Sequence, residues 1–515
     1  MTNEGRPRPL DSYTQIGDLA ESVRWLLQRA LLPLLILLVG ETGILVIAGS
    51  RGAAAFGMIS LGTLLILGLW RWWGIGLPIV PLIALQHLIA YGLPIVVDHE
   101  VLASYPPELT SKAGLEVLLF SAALAAAWRF GMGIFHPATP ASYSLQAFQQ
   151  DGAERLRRLG FSLIVGSTSY LLLQSVGLLD SLYALLPDGS SSVLQALVSA
   201  TSFCGFFLIS MFVGTRALST LSRVVFWVLL AANGFITASG FLISATSALL
   251  ASVLIGLFWS TGRMPWRYLA VVVLLLSFFN LGKFTMRERY WGADGETAVQ
   301  FTLGQMPQHY AEWAQASYDA LTTSGPATSV MDSRAGSPKG QSLLERINNL
   351  QNLLFVFDAM ENAHVAPLGG ETYTLIPPLL VPRIFWPEKP RTHEGQILLN
   401  VHFGRQDLGS TFNTYVAWGL LPEACGNFGE RFGGLILGAW LGLFFAWIEN
   451  LTARKLLLSL EGFIAFTFLL GMANSFEMVA SVLVTSIFQS VILIVAASAP
   501  FVERTVLKRP EGPAP

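Results

Sequence analysis

The stretch VVFWVLLAANGFITASGFLISATSALLASVLIGLFWS, residues 224–260, carries no charge over 37 positions. As one helix rising 1.5 Å per residue it would be about 55 Å long. The hydrocarbon core of a bilayer is only ~30 Å thick. Whether this run crosses once or twice fixes the sidedness of everything after it. A break near Ser239–Gly240 gives two helices of ordinary spanning length, and the basic residues decide between the two readings.

Working outward, apolar runs long enough to cross a membrane fall at 31–49, 53–70, 74–97, 114–134, 161–179, 193–213, 224–241, 242–260, 266–285, 432–449, 460–477 and 478–499. The run 460–499 divides near Asn474–Glu477 for the same reason as 224–260. With a cytoplasmic N-terminus, the inner segments hold Arg6, Arg8, Arg24, Arg29, Arg71, Arg129, Arg155, Arg157 and Arg158. They also hold Arg216, Arg223, Arg263, Arg267, Arg454, Lys455, Arg504, Lys508 and Arg509. The short outer loops hold only Arg51 and Lys112. The split is eighteen to two, and the other eleven of the 31 Lys and Arg lie in one long loop, about 283–431. That is a strong positive-inside bias. Merging 224–260 into one helix would put the later basic ends outside.

The expectation is therefore an all-α polytopic membrane protein of twelve transmembrane helices, with both termini inside. Residues 1–30 form a cytoplasmic segment and 31–285 hold helices one to nine. Residues 286–431 form a long periplasmic loop, 432–499 hold helices ten to twelve, and 500–515 are a cytoplasmic tail. Composition agrees. The 515 residues are 53% hydrophobic and 12% charged, where soluble domains carry ~25% charged residues. Mean hydropathy is +0.56. A net charge of −2 gives no nucleic-acid signature. Cys204 and Cys425 lie in or near apolar runs, and no disulfide is expected. About thirty mostly polar residues precede the first run, too many for the n-region of a signal peptide, so that run reads as an uncleaved helix. There is no internal repeat. Glu41 and His87 stand inside spans and are functional hypotheses on that ground; the plainer alternative is a hydrogen-bonded interior residue.

Long loops are usually functional. In this one, TTSGPATSVMDSRAGSPKG (322–340) has linker composition. Before it, HYAEWAQASYDAL (309–321) reads as a short surface helix. After it, SLLERINNLQNLLFVFDAMENAH (342–364) places Leu343, Ile347, Leu350, Leu354, Phe357 and Met360 on one helical stripe. It is too polar to span and is expected on the outer surface of the bundle. Then comes GGETYTLIPPLLVPRIFWPEKPRTHEG (369–395). Its prolines 377, 378, 382, 387 and 390 forbid a regular helix. Leu375 to Phe385 reads as a broken helix at the membrane edge. Irregular backbone there must be buried by protein or border a wet cavity. Arg383, Lys389 and Arg391 would project into that cavity. In GKFTMRERYW (282–291), Lys283 and Arg287 share one helical face. In LLPEACGNFGERFGG (420–434), Glu423, Asn427 and Glu430 stand at the same boundary. Plainer alternatives are snorkelling for Lys283 and Arg287, contact with anionic membrane lipids for the three loop cations, and helix N-terminal stabilisation for Glu423.

The segments ETYTLIPPLLVPRIFWPEKP, STFNT and GLLPEACGNFGERFGGLILGAWLG together resemble Wzy-type polysaccharide polymerases of bacterial O-antigen and exopolysaccharide pathways. The resemblance rests on Pro382, Arg383, Pro387, Lys389 and Pro390, then on Glu423, Asn427, Phe428 and Gly429, with Pro422 where a glycine is usual. Lys283, Arg287 and Trp291 match a further pattern, and about 283–445 is covered. It implies a GT-C-like enzyme of the inner membrane that joins undecaprenyl-diphosphate-linked oligosaccharide repeat units. A flippase and a chain-length regulator would be its partners, and no cofactor is implied.

Such a reaction displaces a diphosphate from an anomeric carbon, and cations stabilise the charge that develops. Arg383 and Glu423 are then the catalytic pair, as diphosphate cation and hydroxyl base. Glu371, His393 and Glu394 stand behind Glu423 as bases. Lys283, Arg287, Arg346, Lys389, Arg391 and Asn427 would bind substrate. No metal is expected: THEGQ (392–396) lacks the second histidine of a zinc motif, and the loop around 50–52 has no acidic pair. One rival reading is an O-antigen ligase, whose histidine base could be His364, His393 or His402. The other is a transporter, which would favour repeats and midplane charges.

Overall fold

The computed structural model describes residues 15–138, 141–145, 152–179, 183, 190–241, 243–261, 263–290, 302–322, 348–381, 386, 388–412, 416–456, 459–473, 475, 477–498 and 502–506. In chain order the elements are α1 (Ile16–Ile47), α2 (Ala53–Trp73), α3 (Ile79–Val96), α4 (Pro107–Ile134), β1 (Ala141–Leu145), α5 (Gly152–Ser175), α6 (Ser190–Gly214), α7 (Thr220–Ala238), α8 (Ile243–Thr261) and α9 (Trp266–Tyr290). They continue with α10 (Met306–Thr322), α11 (Leu350–Glu361), α12 (Ile376–Leu380), α13 (Glu394–His402), α14 (Leu420–Phe428), α15 (Phe432–Thr452), α16 (Leu460–Ala473), α17 (Ala480–Ser498) and β2 (Val502–Val506). Among the described residues, eight helices are long and apolar enough to cross a membrane, and three shorter ones are apolar. The chain is a multi-pass helical membrane protein.

A helix lies at each of the twelve apolar runs. The deciding stretch breaks where the length argument required: α7 ends at Ala238 and α8 starts at Ile243. Between them Phe241 takes a left-handed φ of +58° and is buried. Its carbonyl accepts from Arg287 Nη2 at 2.8 Å. The first helix starts fifteen residues earlier than its apolar run, at Ile16. Its apolar core is exposed on most sides (Leu32, Ile36, Leu37 and Val39 among others), as suits a helix facing lipid.

The described residues form two compact units, one from 15–145 with 348–506, the other from 152–322. In the first, α4 pairs with α2 and with α15. On α15, Gly434, Gly438 and Gly442 form a small-residue ladder. A Cβ on Gly438 would stand 2.4 Å from the Phe120 carbonyl, and one on Gly442 as close to the Leu124 carbonyl. This close approach of backbones is how helices associate in lipid.

One end of this unit gathers the start of α1, the turn after α2, and the ends of α4 and α15. Ile16 N–H donates to the Lys455 carbonyl at 2.9 Å, and Ala138 N–H to the Asn450 carbonyl at 3.2 Å. The strands β1 and β2 pair antiparallel, Ala141 opposite Val506 and Leu145 opposite Val502. The opposite end carries the described loop residues 348–431. There the turn Leu88–Gly92 of α3 is π-helical, a form often found at functional sites. The Ala90 carbonyl within it accepts from Asn349 N–H at 3.0 Å.

The expected outer-surface helix is corrected by this packing. As α11 it starts at Leu350, and Leu350, Leu353, Leu354, Val356 and Phe357 are all buried. Two adjacent faces are apolar instead of one stripe, so the helix enters the protein interior. In the second unit, α10 folds onto α9. Trp313 joins Phe241, Ile243, Met286 and Met306 in a core, and its Nε1 donates to the Phe279 carbonyl at 2.7 Å.

Among charged groups inside spans, the sequence reading singled out Glu41 and His87. Glu41 is half-buried on α1. His87 stacks on Phe120 (centroids 4.6 Å apart) and Tyr91, with Nδ1 2.9 Å from the Ile83 carbonyl. The more deeply buried carboxyls are Glu116 and Glu449, which that reading passed over. Glu449 Oε1 accepts from Ile75 N–H (2.7 Å) and Gly76 N–H (3.2 Å). Its Oε2 accepts from the indoles of Trp128 (2.9 Å) and Trp70 (3.2 Å). Glu116 accepts from Arg431 N–H at 2.7 Å and Gly434 N–H at 2.6 Å, at the start of α15.

Candidate functional site

Two of the segments that carried the resemblance meet in the first unit. Helix α14 is bracketed by Gly419 (φ +90°) and Gly429 (φ +83°), conformations that favour glycine. Its Gly426 and Asn427 carbonyls accept from Leu368 N–H (3.0 Å) and Gly369 N–H (2.8 Å). This brings the turn Glu371–Thr374 against α14. Thr372 Oγ1 donates to Glu423 Oε1 at 2.7 Å and accepts from Asn427 Nδ2 at 2.9 Å. Asn427 Nδ2 also donates to the Glu423 carbonyl at 2.8 Å. The other Glu423 oxygen accepts from Ala480 N–H at 2.6 Å, the first amide of α17. Thr372, Glu423 and Asn427 are all buried.

Glu423, expected to face an acceptor hydroxyl, is fully enclosed. Its carboxylate ties the proline segment to the start of α17, where helix amides favour negative charge. Burial pushes its carboxyl up to about 7, against the pull of the Ala480 and Thr372 hydrogen bonds. Asn427, expected to bind substrate, spends its amide on the same junction. Beside them Tyr373 stacks on Phe428 with centroids 5.6 Å apart. Its hydroxyl is buried without a hydrogen-bond partner. Burial raises its pKa well above the ordinary value, with the neighbouring Glu423 adding to the rise.

Of the expected broken helix at 375–385, residues 382–385 lie outside the described residues. Helix α12 covers only Ile376–Leu380 and ends at extended Val381. Lys389, expected to project into a cavity, is buried. Its Nζ donates to the Leu379 carbonyl at 2.8 Å and the Val381 carbonyl at 2.7 Å. It therefore clamps the last turn of α12, whose carbonyls lack helical partners. Arg391 is exposed, just before α13, while His393 and Glu394 are half-buried. His393 Nδ1 lies 2.8 Å from Gln396 Oε1. Among the other histidines, His402 Nε2 lies 2.7 Å from the Ala366 carbonyl, and His364 is exposed. Arg383 and Arg346 lie outside the described residues. Lys283 and Arg287 belong to the second unit, on α9. Lys283 is buried there, and Arg287 holds the Phe241 carbonyl at the α7–α8 break.

One cation the sequence reading did not single out belongs to this region. Arg405, in the turn after α13, places its guanidinium 5.3 Å from the Phe355 ring centroid and 5.8 Å from that of Trp418. Burial pulls its pKa down to about 10.

No family model, no curated protein and no solved structure matches the chain. Fold and site define a class: a multi-pass helical membrane protein, one end of whose first unit is roofed by a loop with a buried Thr–Glu–Asn junction, a clamped proline turn and surface-facing cations.

Proposed function

We propose that the protein is a glycosyltransferase of the bacterial inner membrane, a polymerase of polysaccharide repeat units carried on undecaprenyl diphosphate. The observation that carries this reading is the Thr372–Glu423–Asn427 junction. It makes one structural unit of two segments that resemble the polymerase motifs separately. A chain that kept these residues for unrelated local reasons would not need to join them.

In this reading the chain crosses twelve times on a GT-C-like plan, with both termini cytoplasmic and the loop periplasmic. The two ends of the first unit support it. Segments near Arg71, Arg129, Arg454 and Arg504 gather at one end, and the loop roofs the other. The acceptor hydroxyl attacks the anomeric carbon of the donor sugar. The bond from that carbon to the phosphate oxygen breaks, and undecaprenyl diphosphate leaves with the electron pair. Arg383 and Arg391 hold the departing diphosphate, where charge-assisted hydrogen bonds are strongest. The hydroxyl proton passes to a base at the start of α13, where His393 and Glu394 flank Arg391. Glu423 and Lys389 position the proline segment, Glu423 by pinning it to α17 and Lys389 by closing its last turn.

The test is Arg383→Ala in a strain that displays the polymer. We expect single repeat units on the surface and no long chains on a glycan gel, with the protein inserted at normal level. Normal chain length would remove the polymerase assignment from this site. Lipid-linked full-length polymer would point to a ligase instead, and a lack of external glycan to a transporter.

A further inference from the structure

Arg405 has a donor with nothing to hold. Its Nη1 is sealed from solvent and has no hydrogen-bond partner. No carboxylate of the described residues lies within ion-pair distance of it. The acidic groups nearest in sequence are engaged elsewhere: Asp407 accepts from Ser410 N–H (2.9 Å) and Ser410 Oγ (2.6 Å). Arg405 as a whole is half-buried, but a sealed donor left unpaired is costly. A second orphan meets the same indole, Trp418. Asn400 Nδ2 is buried without an acceptor, while its Oδ1 accepts from Trp418 Nε1 at 2.7 Å. The same indole that walls the guanidinium thus fixes the second donor.

The surroundings are built to hold the cation still. The Arg405 and Gln406 amides both donate to the Asn400 carbonyl, at 2.8 and 3.2 Å. Phe355 and Phe403 pack against Trp418. Aromatic faces attract a guanidinium but accept few of its hydrogen bonds, so its N–H edge stays available. Two unused donors, one of them on a guanidinium, suit a ligand with two or more acceptor oxygens and negative charge. A guanidinium meets phosphate in that way, two parallel hydrogen bonds at a time.

We propose that Arg405, with Asn400 Nδ2, is a seat for a phosphoryl oxyanion, walled by Phe355 and Trp418. Its assignment to the diphosphate of the lipid-linked sugar rests on the function proposed above; the seat itself rests on the geometry.

The experiment uses the full chain in nanodiscs and measures binding of undecaprenyl diphosphate, undecaprenyl monophosphate and inorganic pyrophosphate. Wild type is compared with Arg405→Met, Arg405→Lys and Asn400→Asp. We expect undecaprenyl diphosphate to bind at least tenfold more weakly to Arg405→Met, with Arg405→Lys between. Competition by inorganic pyrophosphate at equal affinity would assign the seat to phosphate from any source; lack of competition would assign it to the lipid-linked form. Without ligand, Arg405→Met should melt no lower than wild type, because an unpaired charge has been removed. Asn400→Asp supplies an internal anion, and should melt higher while losing ligand. If Arg405→Met fails to fold, Arg405→Lys and Asn400→Asp still give both readouts. Binding within twofold of wild type in the folded variants overturns the seat, as does a lower melting temperature with binding unchanged. Arg405-dependent binding without polymer formation in vesicles would keep the seat and remove the polymerase. Normal polymer from Arg405→Met would do the reverse.

Discussion

The two ends of the first unit treat buried charge in opposite ways. At one end, the Glu449 carboxyl accepts from four N–H groups, two on the turn after α2 and two on indoles. At the other, the Arg405 guanidinium has its Nη1 sealed and bonded to nothing. Both groups lie in surroundings where an unmet charge is costly. A saturated buried charge is a fastener: it has fixed the elements that supply its partners and has no capacity for a ligand. An unsaturated one has been desolvated in advance for something that arrives later. Glu116 and Glu423 belong with Glu449, since each takes backbone amides at the start of a helix.

The comparison breaks most visibly at Glu449. Glu449→Ala leaves four donors without an acceptor, each at a cost of ~1–3 kcal/mol. We expect a loss of ~5 kcal/mol or more, read as collapse of the folded fraction after detergent extraction. Glu449→Gln keeps one acceptor oxygen and should retain part of the fold. Full stability in Glu449→Ala would mean that saturation does not mark a fastener here.

Glu423 gives a smaller effect with a distinctive pH dependence. Its folded pKa of about 7 lies above the ordinary 4.5. Between these values the folded state binds the proton more tightly than the unfolded state. The contribution is therefore fully present below pH ~4.5 and is lost as pH rises through about 7. A shift of that size corresponds to roughly 3 kcal/mol. Glu423→Gln cannot titrate. Its melting temperature should fall less between pH 5 and pH 8 than that of wild type. Parallel pH profiles for the two proteins would show that Glu423 titrates normally, and that its burial costs nothing.

Much of the helix layout was legible because it follows from length. The 224–260 run was too long for one helix, and the helix breaks between Ala238 and Ile243, around the Ser239–Gly240 joint. The site was less legible, for reasons visible residue by residue. Lys389 looked like a free cation because a sequence shows its charge and not the carbonyls of Leu379 and Val381 that wait for it. Glu423 looked like a base at a boundary, whereas its partner is the first amide of a helix 57 positions later. Glu116 and Glu449 carried a usable signal, a carboxyl within or ending an apolar run. So did Gly434, Gly438 and Gly442, spaced by four. Arg405 carried none: two residues from Asp407, it reads as half of a local ion pair until the structure turns Asp407 to Ser410.

The smallest effect tests whether location alone could explain the contrast. Lys112, at the start of α4, bonds Glu361 at the end of α11 and lies 4.0 Å from Glu430. This pair stands at the same end of the unit as Arg405, but on the surface, with 43% and 35% of the two side chains exposed. Water solvates either partner if the other is removed, and salt screens both. We expect Lys112→Ala to change stability by less than ~1 kcal/mol, and raised salt to erase that difference in thermal melts. A loss as large as that of Glu449→Ala would mean that this end of the protein is sensitive to any lost charge. The unpaired state of Arg405 would then mark a fragile region and not a seat. A small, salt-sensitive loss instead ties the contrast to desolvation, which Arg405 Nη1 has undergone and Lys112 has not.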